Sequence, residues 1–373
     1  MVVGEYVLKL RYPPEVLRSR LERFQEKLKS AGIDAAMIRV KSTFTYFTGV
    51  KWLRPAMLVP AEGDPVLFAA KGEEGELLER TWVRNVVTFR EGGELMGKVT
   101  GLIRGRGYRV IGLEYGIERD AYILFYEMFK RLNPSVEVKD ISGIVAELRM
   151  IKDTHELGAI RRAGEIASKV MEKVLQAIKP GITETEIAAE AYYHAYRLGA
   201  EEPHVHVVAG PNPRVHAEPF RDSKVVEGAA VTVVLGVDYD HYYANMTRTV
   251  IVGSNEEGRK ALEGIKEAYA KAVELTGPGV RPADVMKELE ALFKERGLAE
   301  EAVIGYLHGV GLQVEEAPIT TIIPQHRFIK LSPGMAVAMI HAPLLVKGVG
   351  QIKHEDTFIV TEEGLEPVTT KKP

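Results

Sequence analysis

Apolar and polar positions in the first part of the chain follow the patterns of short strands and helices in alternation. Helical spacing relates four apolar residues, Leu17, Leu21, Phe24 and Leu28, and this pattern stops at Gly32. Apolar runs of strand length follow at residues 34–40, 57–59, 66–69, 86–89 and 110–113. Residues 101–107 are glycine-rich and precede the last of these runs, so we interpret them as a turn and not as a phosphate-binding loop. The alternation predicts a layered α/β domain over residues 1–140.

The pattern changes over residues 141–373, where helix-start signals stand out. Asp153, Thr183 and Ser254 are each followed three residues later by a glutamate, which is the capping-box spacing. Segments 180–187 and 278–285 both carry a Pro-Gly pair between two helical patterns and ahead of strands. A repeated helix–Pro-Gly–helix–strand unit predicts an α+β domain with pseudo-symmetric halves and a site between them. The alternative is that Pro-Gly is an ordinary helix-stop signal.

Composition places the chain among soluble globular proteins and limits its chemistry. Hydrophobic residues make up 46% and charged residues 27% of 373 residues, a length that suits two domains. The formal net charge of -3 gives no electrostatic reason to expect a nucleic-acid or membrane partner. The absence of cysteine excludes disulfides, thiolate nucleophiles and Cys-ligated zinc. No apolar run approaches the ~18 residues of a membrane span, and Glu5 and Lys9 interrupt the first apolar stretch. We therefore expect a cytoplasmic protein.

Several segments together resemble one known family. Residues 235–249 read L-G-V-D-Y-D-H-Y-Y-A-N-M-T-R-T, and residues 307–318 read L-H-G-V-G-L-Q-V-E-E-A-P. Residues 333–335 read P-G-M, residues 353–357 read K-H-E-D-T, and residues 46–49 read Y-F-T-G. They resemble the creatinase and prolidase family, with its motifs D-L-G-x-x-Y-x-x-Y-x-S-D-x-T-R-T, G-H-G-I-G-L-x-V-H-E-x-P, P-G-M…R-I-E-D-T and Y-L-T-G. The resemblance implies a pita-bread domain over residues 141–373 behind an α/β creatinase-type N-terminal domain.

The resemblance also implies where metal ligands would lie. Peptidases of this family hold two divalent ions with two Asp, one His and two Glu. In register with the Thr-Arg-Thr end of the hairpin, the two Asp positions fall at Val234 and Asn245, and the His is kept as His308. Valine cannot bind a metal, and asparagine offers a neutral amide in place of a bridging carboxylate.

The two Glu positions complete this comparison. The last Glu is kept as Glu355, whereas the other falls at Ile340 when counted from the P-G-M motif or at His341 when counted back from Glu355. Because one carboxylate of four remains, a pair of divalent ions would be under-neutralised. We therefore expect no metal ligand set and no cofactor. The alternative is one zinc or iron ion on His308, His341 and Glu355, should His341 point inward. Relocation of ligands to Asp238 and Asp240 is less favoured, since acids are ordinary at a turn.

A cavity without metals could still carry acid–base chemistry. Residues 208–216 resemble the family segment that ends in a substrate-facing histidine, here His216. The metal-free creatinases of this fold keep a His there as proton shuttle, and a His and a Glu at the places of His308 and Glu355. The resemblance thus implies a catalytic set of His216, His308 and Glu355, and imidazole suits a shuttle because its pKa is ~6.5. The alternative is that His308 and Glu355 are relics held by local hydrogen bonds.

Substrate contacts are predicted for His206, Asn245 and His341. His206 shares one face of a strand with His204, and that strand would lead into the cavity. Glu315 and Leu307 stand where the family has a histidine and a glycine, and both changes argue against cleavage of Xaa-Pro dipeptides.

Three functions remain open from the sequence. The first is a metal-independent, creatinase-like hydrolase or lyase of a small C–N compound, with His216 as general acid and base. The second is a metal-dependent Xaa-Pro dipeptidase or aminopeptidase. The third is a non-catalytic homologue that binds a peptide or protein. A small-molecule or short-peptide substrate is expected in the first two, and the resemblance implies a homodimer.

Overall fold

The computed structural model describes residues 10–116, 122–215 and 218–369. The chain divides into two compact units, Met1–Arg149 and Met150–Pro373. The sequence placed this division between residues 140 and 141, ahead of a helix whose residues up to Arg149 fall in the first unit. Among the described residues, none of the helices has the length and apolar character needed to cross a bilayer.

The first unit alternates helices and strands. Its elements are α1 (Pro14–Ser30), β1 (Ala35–Ile38), α2 (Lys41–Thr48), β2 (Met57–Pro60), β3 (Val66–Ala70), α3 (Glu74–Arg80), β4 (Val86–Phe89), α4 (Gly92–Gly105), β5 (Val110–Leu113), α5 (Tyr122–Leu132), β6 (Glu137–Asp140) and α6 (Ser142–Met150). The strands form a six-stranded sheet in the order β4-β3-β2-β1-β5-β6. Each apolar run predicted to be a strand is confirmed as one of β1 to β5.

The hydrophobic pattern explains how the elements of this unit pack. The four apolar residues that predicted α1 are all buried. A core of apolar side chains from the strands, α4 and α5 includes Met37, Phe68 and Ile103. The interpretation of residues 101–107 as a turn was wrong for its first part, because α4 continues to Gly105 and places Ile103 in that core. Burial of the apolar helix face outweighed the helix-breaking tendency of the glycines.

The second unit contains longer helices and a larger sheet. Its elements are α7 (Thr154–Ala177), α8 (Glu184–Arg197), β7 (His204–Ala209), β8 (Ala230–Tyr239), β9 (Tyr242–Ile251), α9 (Glu256–Leu275), α10 (Pro282–Glu295), β10 (Leu307–Gly309), β11 (Glu316–Ile319), a 3-10 turn (Pro324–Phe328), β12 (Ala336–Met339), β13 (Leu344–Val346), β14 (Gly350–Ile352), β15 (Glu355–Thr361) and β16 (Gly364–Pro367). Asp153 and Thr183 begin α7 and α8 with complete capping boxes, as predicted.

The large sheet has the order β11-β10-β12-β15-β9-β8-β7. On β8, Val231, Val233, Leu235 and Val237 pack with the apolar faces of α7 and α8. The alternate residues of β8, including Val234, point to the opposite face. Apolar residues of α9 and α10 pack with β10, β12 and β15. Each predicted helix pair thus covers one half of the sheet on the same face. The opposite face, here called the free face, extends across both halves.

Candidate functional site

A cavity of about 90 Å³ lies on the free face of the sheet, and both halves contribute to its wall. One half supplies His206 from β7, Val234 from β8 and Asn245 from β9. The other half supplies His308 from β10 and Glu355 from β15, and Gln351 comes from β14, which pairs with β13 in a separate two-stranded sheet. The pseudo-symmetry predicted a site between the halves, and the cavity has that position.

Glu355 and two histidines form the buried centre of this cavity. His308 Nε2 and His341 Nδ1 each lie 3.3 Å from Glu355 Oε1. The two imidazole rings meet edge to face with centroids 4.4 Å apart. His308 Nδ1 lies 2.9 Å from the carbonyl oxygen of Gly309, which can only accept, so Nδ1 carries a proton. This arrangement turns Nε2 of His308 toward the carboxylate.

Lys353 supplies a positive charge at the same point. Its Nζ lies 3.0 Å from Glu355 Oε2 and 3.3 Å from His341 Nδ1, and its side chain is 4% exposed. Thr247 Oγ1 donates a second hydrogen bond, of 2.6 Å, to Glu355 Oε2. The carboxylate therefore has an internal ammonium as its direct counter-charge.

These contacts set the protonation of Glu355 and His341. Burial would by itself raise the pKa of Glu355, but the Lys353 ammonium and the neighbouring histidines hold that pKa well below its usual value. Burial, followed by the charges of Lys353 and His308, lowers the pKa of His341 to about 3. At neutral pH the cavity thus contains a carboxylate and a neutral His341 imidazole whose Nδ1 faces the Lys353 ammonium. Its Nε2 lies 4.0 Å from Glu315 Oε1.

The backbone after β12 decides which residue enters the cavity. Ile340 has a positive φ of 43°, a conformation that β-branched residues rarely adopt. The Ile340 side chain packs in the apolar core shared with α9 and α10, and the next side chain, His341, lines the cavity. Of the two alignments left open by the sequence, the structure therefore corresponds to the one that puts His341 beside Glu355.

Further candidates from the sequence lie around this centre. His206 lines the cavity, with Nδ1 3.9 Å from Glu218 Oε1. Asn245 lines it too and donates from Nδ2 to the carbonyl oxygen of Val314 at 2.8 Å. His204 packs edge to face against Tyr243. His216 lies outside the described residues, so its predicted role stays a prediction.

The acids at the hairpin turn take up other contacts. Asp238 is buried, and its Oδ1 accepts hydrogen bonds from the main-chain N–H groups of Glu201 and Glu202 at 3.1 and 2.8 Å. Asp238, Glu201 and His241 also bring potential ligand atoms within 4.8 Å of one another at that end of β8. Asp240 stands in the turn itself with a positive φ of 47°.

Two polar residues of the cavity, Lys353 and Gln351, were not predicted from the sequence. Lys353 occupies the place of the arginine in the family motif R-I-E-D-T, two residues before Glu355. In an extended chain, residues two positions apart have their side chains on the same side, so Lys353 could have been predicted to lie beside Glu355. Gln351 belongs to no motif, and its Nε2 donates to the carbonyl oxygens of Arg214 and Val215.

Comparison with known proteins covers both units. Residues 158–362 match the family model described as Metallopeptidase family M24, and residues 20–151 match the Creatinase/Prolidase N-terminal domain. A Xaa-Pro dipeptidase of Pyrococcus furiosus is 28% identical over 359 residues, which cover 95% of this chain and 98% of that protein.

Solved structures show the same likeness. The prolidase from Pyrococcus horikoshii OT3 superposes with a TM-score of 0.85 at 26% identity, over 95% of this chain and 99% of that one. The prolidase from Pyrococcus furiosus has a TM-score of 0.82 at 27% identity, over 94% and 100% of the two chains. The predicted two-domain architecture is thereby confirmed.

Proposed function

Because the chain belongs to metallopeptidase family M24, we propose that it is a hydrolase that cleaves a C–N bond in a short peptide. The observation that carries this proposal is the full-length similarity to a protein named Xaa-Pro dipeptidase. The peptidase alternative set out from the sequence thus has better support than the creatinase-like hypothesis, which none of the comparisons reported above supports. Xaa-Pro dipeptides are accordingly the first substrates to test.

We further propose that this centre does not hold a pair of metal ions. Val234 offers no ligand atom, Asn245 offers a neutral amide, and His341 stands where a carboxylate would be needed. A divalent ion about 4 Å from the Lys353 ammonium would meet a repulsion on the order of 8 kcal/mol at an effective dielectric constant of about 20. Glu355 alone cannot offset two such ions.

In this proposal the chain's own groups divide the work of hydrolysis. The Lys353 ammonium balances Glu355 and offers N–H donors to an oxygen that becomes negative in the transition state. His341, with a pKa of about 3, is a weak base at neutral pH. We therefore keep His216 as the proposed proton shuttle and give His308 and Glu355 the task of holding the substrate.

One specific observation favours a second candidate, a hydrolase with a single metal ion. The ligand atoms of His308, His341 and Glu355 all lie within 4.8 Å of one another. Two imidazoles and one carboxylate suit a single zinc or iron ion. Binding there would require the Lys353 ammonium to move away or to lose its proton.

Peptide hydrolysis and metal content, measured on one purified sample, test the proposal. We expect hydrolysis of at least one Xaa-Pro dipeptide, unchanged by a chelator, and fewer than one metal ion per chain by elemental analysis. Two ions per chain, with activity lost on chelation and restored by manganese or cobalt, would contradict the metal-free part. Turnover of creatine-like compounds without turnover of any peptide would contradict the peptidase part.

His216 needs its own test. His216→Gln should lower kcat at least a hundredfold, the usual contribution of a positioned proton-transfer group. His194→Gln, on α8, is the matched control and should leave kcat unchanged. Equal rates for His216→Gln and the wild type would exclude the shuttle role.

A further inference from the structure

We propose that a second cavity, behind the two histidines of the site, binds a free amino acid with a large apolar side chain and thereby slows the reaction. This cavity, here called the rear cavity, lies between α10, the segment 299–306 and the chain at Ile340 and Ala342. The cavity that contains Glu355 is here called the site cavity, and the two share no lining residue within the described parts of the chain. The slowing rests on the proposed function, whereas the binding does not.

The wall of the rear cavity is mainly apolar. α10 contributes Met286, Leu289 and Phe293, and Ala302 and Ile304 lie on the facing segment. The volume is about 440 Å³, within the range of ~300–1,000 Å³ that is usual for small-molecule sites. A large apolar side chain suits this space, because its burial removes apolar surface from water. The thioether and the phenyl ring in the wall favour an aromatic side chain.

Two opposite charges on α10 stand in the wall of the rear cavity. Glu290 and Lys294 are four positions apart, so they lie on one face of the helix. Both are exposed, and neither head group has an ion pair or hydrogen bond with the described part of the chain. By contrast, Glu288 of the same helix pairs with Lys271 of α9 at 3.1 Å. The ammonium and the carboxylate of an amino acid complement this pair of charges, whereas an amine or a fatty acid would complement only one of them.

The rear cavity is bounded by the two chain segments that carry the histidines of the site. Ile340 and Ala342 line the rear cavity, and His341 between them lines the site cavity. Tyr306 lines the rear cavity, and His308, two positions later, lines the site cavity. The main-chain N–H of His341 donates to the carbonyl oxygen of Tyr306 at 3.0 Å, which joins the two segments. A displacement of the apolar residues must therefore move the histidines as well.

Ile340 makes this connection sensitive to a ligand. Its φ of 43° is a conformation that β-branched residues rarely adopt, and it shares a peptide group with His341. His341 Nδ1 lies 3.3 Å from Glu355 Oε1, so a shift of this peptide changes a short contact in the site cavity. A misplacement of about 1 Å can reduce a rate about a hundredfold, so an occupied rear cavity should lower kcat. KM should stay unchanged, because the ligand does not enter the site cavity.

Binding is tested on the full chain with four small probes that differ by one group. They are phenylalanine, phenethylamine, which lacks the carboxylate, hydrocinnamate, which lacks the ammonium, and glycine, which lacks the ring. Each is titrated by ligand-observed NMR at constant ionic strength. We expect phenylalanine to bind about fivefold more tightly than phenethylamine or hydrocinnamate, the difference expected for one exposed charge contact. Glycine should not bind.

Variants assign each charge to its partner. In Lys294→Met, phenylalanine and phenethylamine should bind equally, because the carboxylate has lost its contact. In Glu290→Gln, phenylalanine and hydrocinnamate should bind equally for the corresponding reason. Ala302→Phe fills the rear cavity and should abolish binding, with circular dichroism establishing that the variant is folded. Lys287→Met, at an exposed position of α10 outside the cavity, is the matched control and should keep the wild-type preferences.

Three results would overturn the inference. Equal binding of the three ring-containing probes to the wild type would mean that the charges take no part. Wild-type affinity for phenylalanine in both Lys294→Met and Ala302→Phe would place the ligand elsewhere. No phenylalanine binding, together with a change of oligomeric state in Ala302→Phe by light scattering, would show that a second copy of the chain occupies the cavity.

Kinetics separate this inference from the proposed function. Saturating phenylalanine should lower kcat of peptide hydrolysis at least about threefold without raising KM, and Ala302→Phe should not respond. A raised KM with unchanged kcat would place phenylalanine in the site cavity, which rejects the inference and leaves the hydrolase proposal standing. Phenylalanine binding with the expected variant pattern, but no hydrolysis of any peptide, would reject the hydrolase and retain the rear site. The imidazole resonances of His341 should then still shift on binding.

Discussion

At the scale of single residues, the cavity is organised by charges that the chain itself supplies. The Lys353 ammonium lies 3.0 Å from Glu355, and both side chains are almost fully buried. Burying two charges is unfavourable unless they are paired and hydrogen-bonded, and here Thr247 completes the pair. Lys353 and Glu355 are therefore expected to determine both the stability of the protein and the affinity of the cavity for metal ions.

Lys353→Met should destabilise the protein by about 3–5 kcal/mol, because it leaves the buried Glu355 carboxylate without its counter-charge. Urea unfolding at pH 7 measures the loss. Zinc should then recover part of this stability, since His308, His341 and Glu355 present ligand atoms within 4.8 Å of one another. Lys347→Met, at an exposed lysine, is the control. Equal stabilisation of wild type and Lys353→Met by zinc would mean that the ammonium does not exclude the ion.

His341 should make stability depend on pH. Its pKa in the folded state is about 3, against ~6.5 in the unfolded chain. Between these values the unfolded chain binds a proton that the folded protein does not, so the free energy of unfolding falls as pH falls from 6.5 toward 3. The slope from this group approaches about 1.4 kcal/mol per pH unit near pH 5.

Unfolding free energies at pH 7, 6 and 5 test this dependence. His341→Gln removes the titrating group, so the slope between pH 6 and pH 5 should decrease by about 1 kcal/mol per unit. His354, whose pKa is also lowered to about 3 by burial, adds a slope of the same sign in both proteins. Parallel curves for the variant and the wild type would show that His341 is not buried in neutral form.

At the scale of elements, helix caps and close contacts of glycine define the frame around the cavity. The capping boxes of α7 and α8 are as predicted, but the cap of α9 is Asn255 and not Ser254. Asn255 Oδ1 accepts from the N–H of Gly258 at 2.9 Å, and its Nδ2 donates to the carbonyl oxygen of Gly228 at 2.7 Å. Serine and asparagine are both favourable N-cap residues, so the tertiary contact to Gly228 decides between Ser254 and Asn255.

Asn255→Ala should therefore lower the free energy of unfolding by about 1–2 kcal/mol through the lost cap. The neighbouring Ser254→Ala should change it by less than about 0.5 kcal/mol. Thermal unfolding of the two variants side by side gives the comparison. A larger effect at Ser254 would show that α9 begins one residue earlier.

Gly309 should be intolerant of a side chain, although its φ is not the reason. A Cβ atom there would lie 2.3 Å from the carbonyl oxygen of Ala317 on β11. Gly309→Ala must push β10 and β11 apart, at a cost of about 1–3 kcal/mol, and displaces the adjacent His308. Gly277→Ala meets no atom within 4 Å and is the matched control. Unfolding midpoints that fall equally in both variants would contradict this account.

Motifs made some of this site predictable from sequence, and long-range contacts made the rest unpredictable. His308, Asn245 and Glu355 lie in motifs whose spacing placed them in one cavity, and the structure brings them together. Gln351 lines the same cavity through bonds to residues more than 130 positions earlier in the chain. No local pattern encodes such a contact. The choice between Ile340 and His341 likewise depended on the positive φ of Ile340. Isoleucine rarely adopts this conformation, so the sequence did not predict it.

At the scale of the whole molecule, each unit has an apolar core of its own. All the cavity residues named above belong to the second unit. The first unit contributes a sheet and helices of the type expected for its family domain.

We expect a homodimer, as the family resemblance implies. Light scattering coupled to size exclusion should give twice the chain mass of 41.4 kDa. A monomer at micromolar concentration would remove this expectation, and would leave the cavity proposals unaffected because they involve residues of one unit only.

The Lys353 ammonium affects how the cavity obtains its positive charge. A charge carried on a side chain is delivered with every copy of the polypeptide, whereas a bound ion must be acquired from the surroundings after folding. If the centre holds no metal ion, as we propose, protein synthesised under metal starvation should be as active, molecule for molecule, as protein from a replete culture.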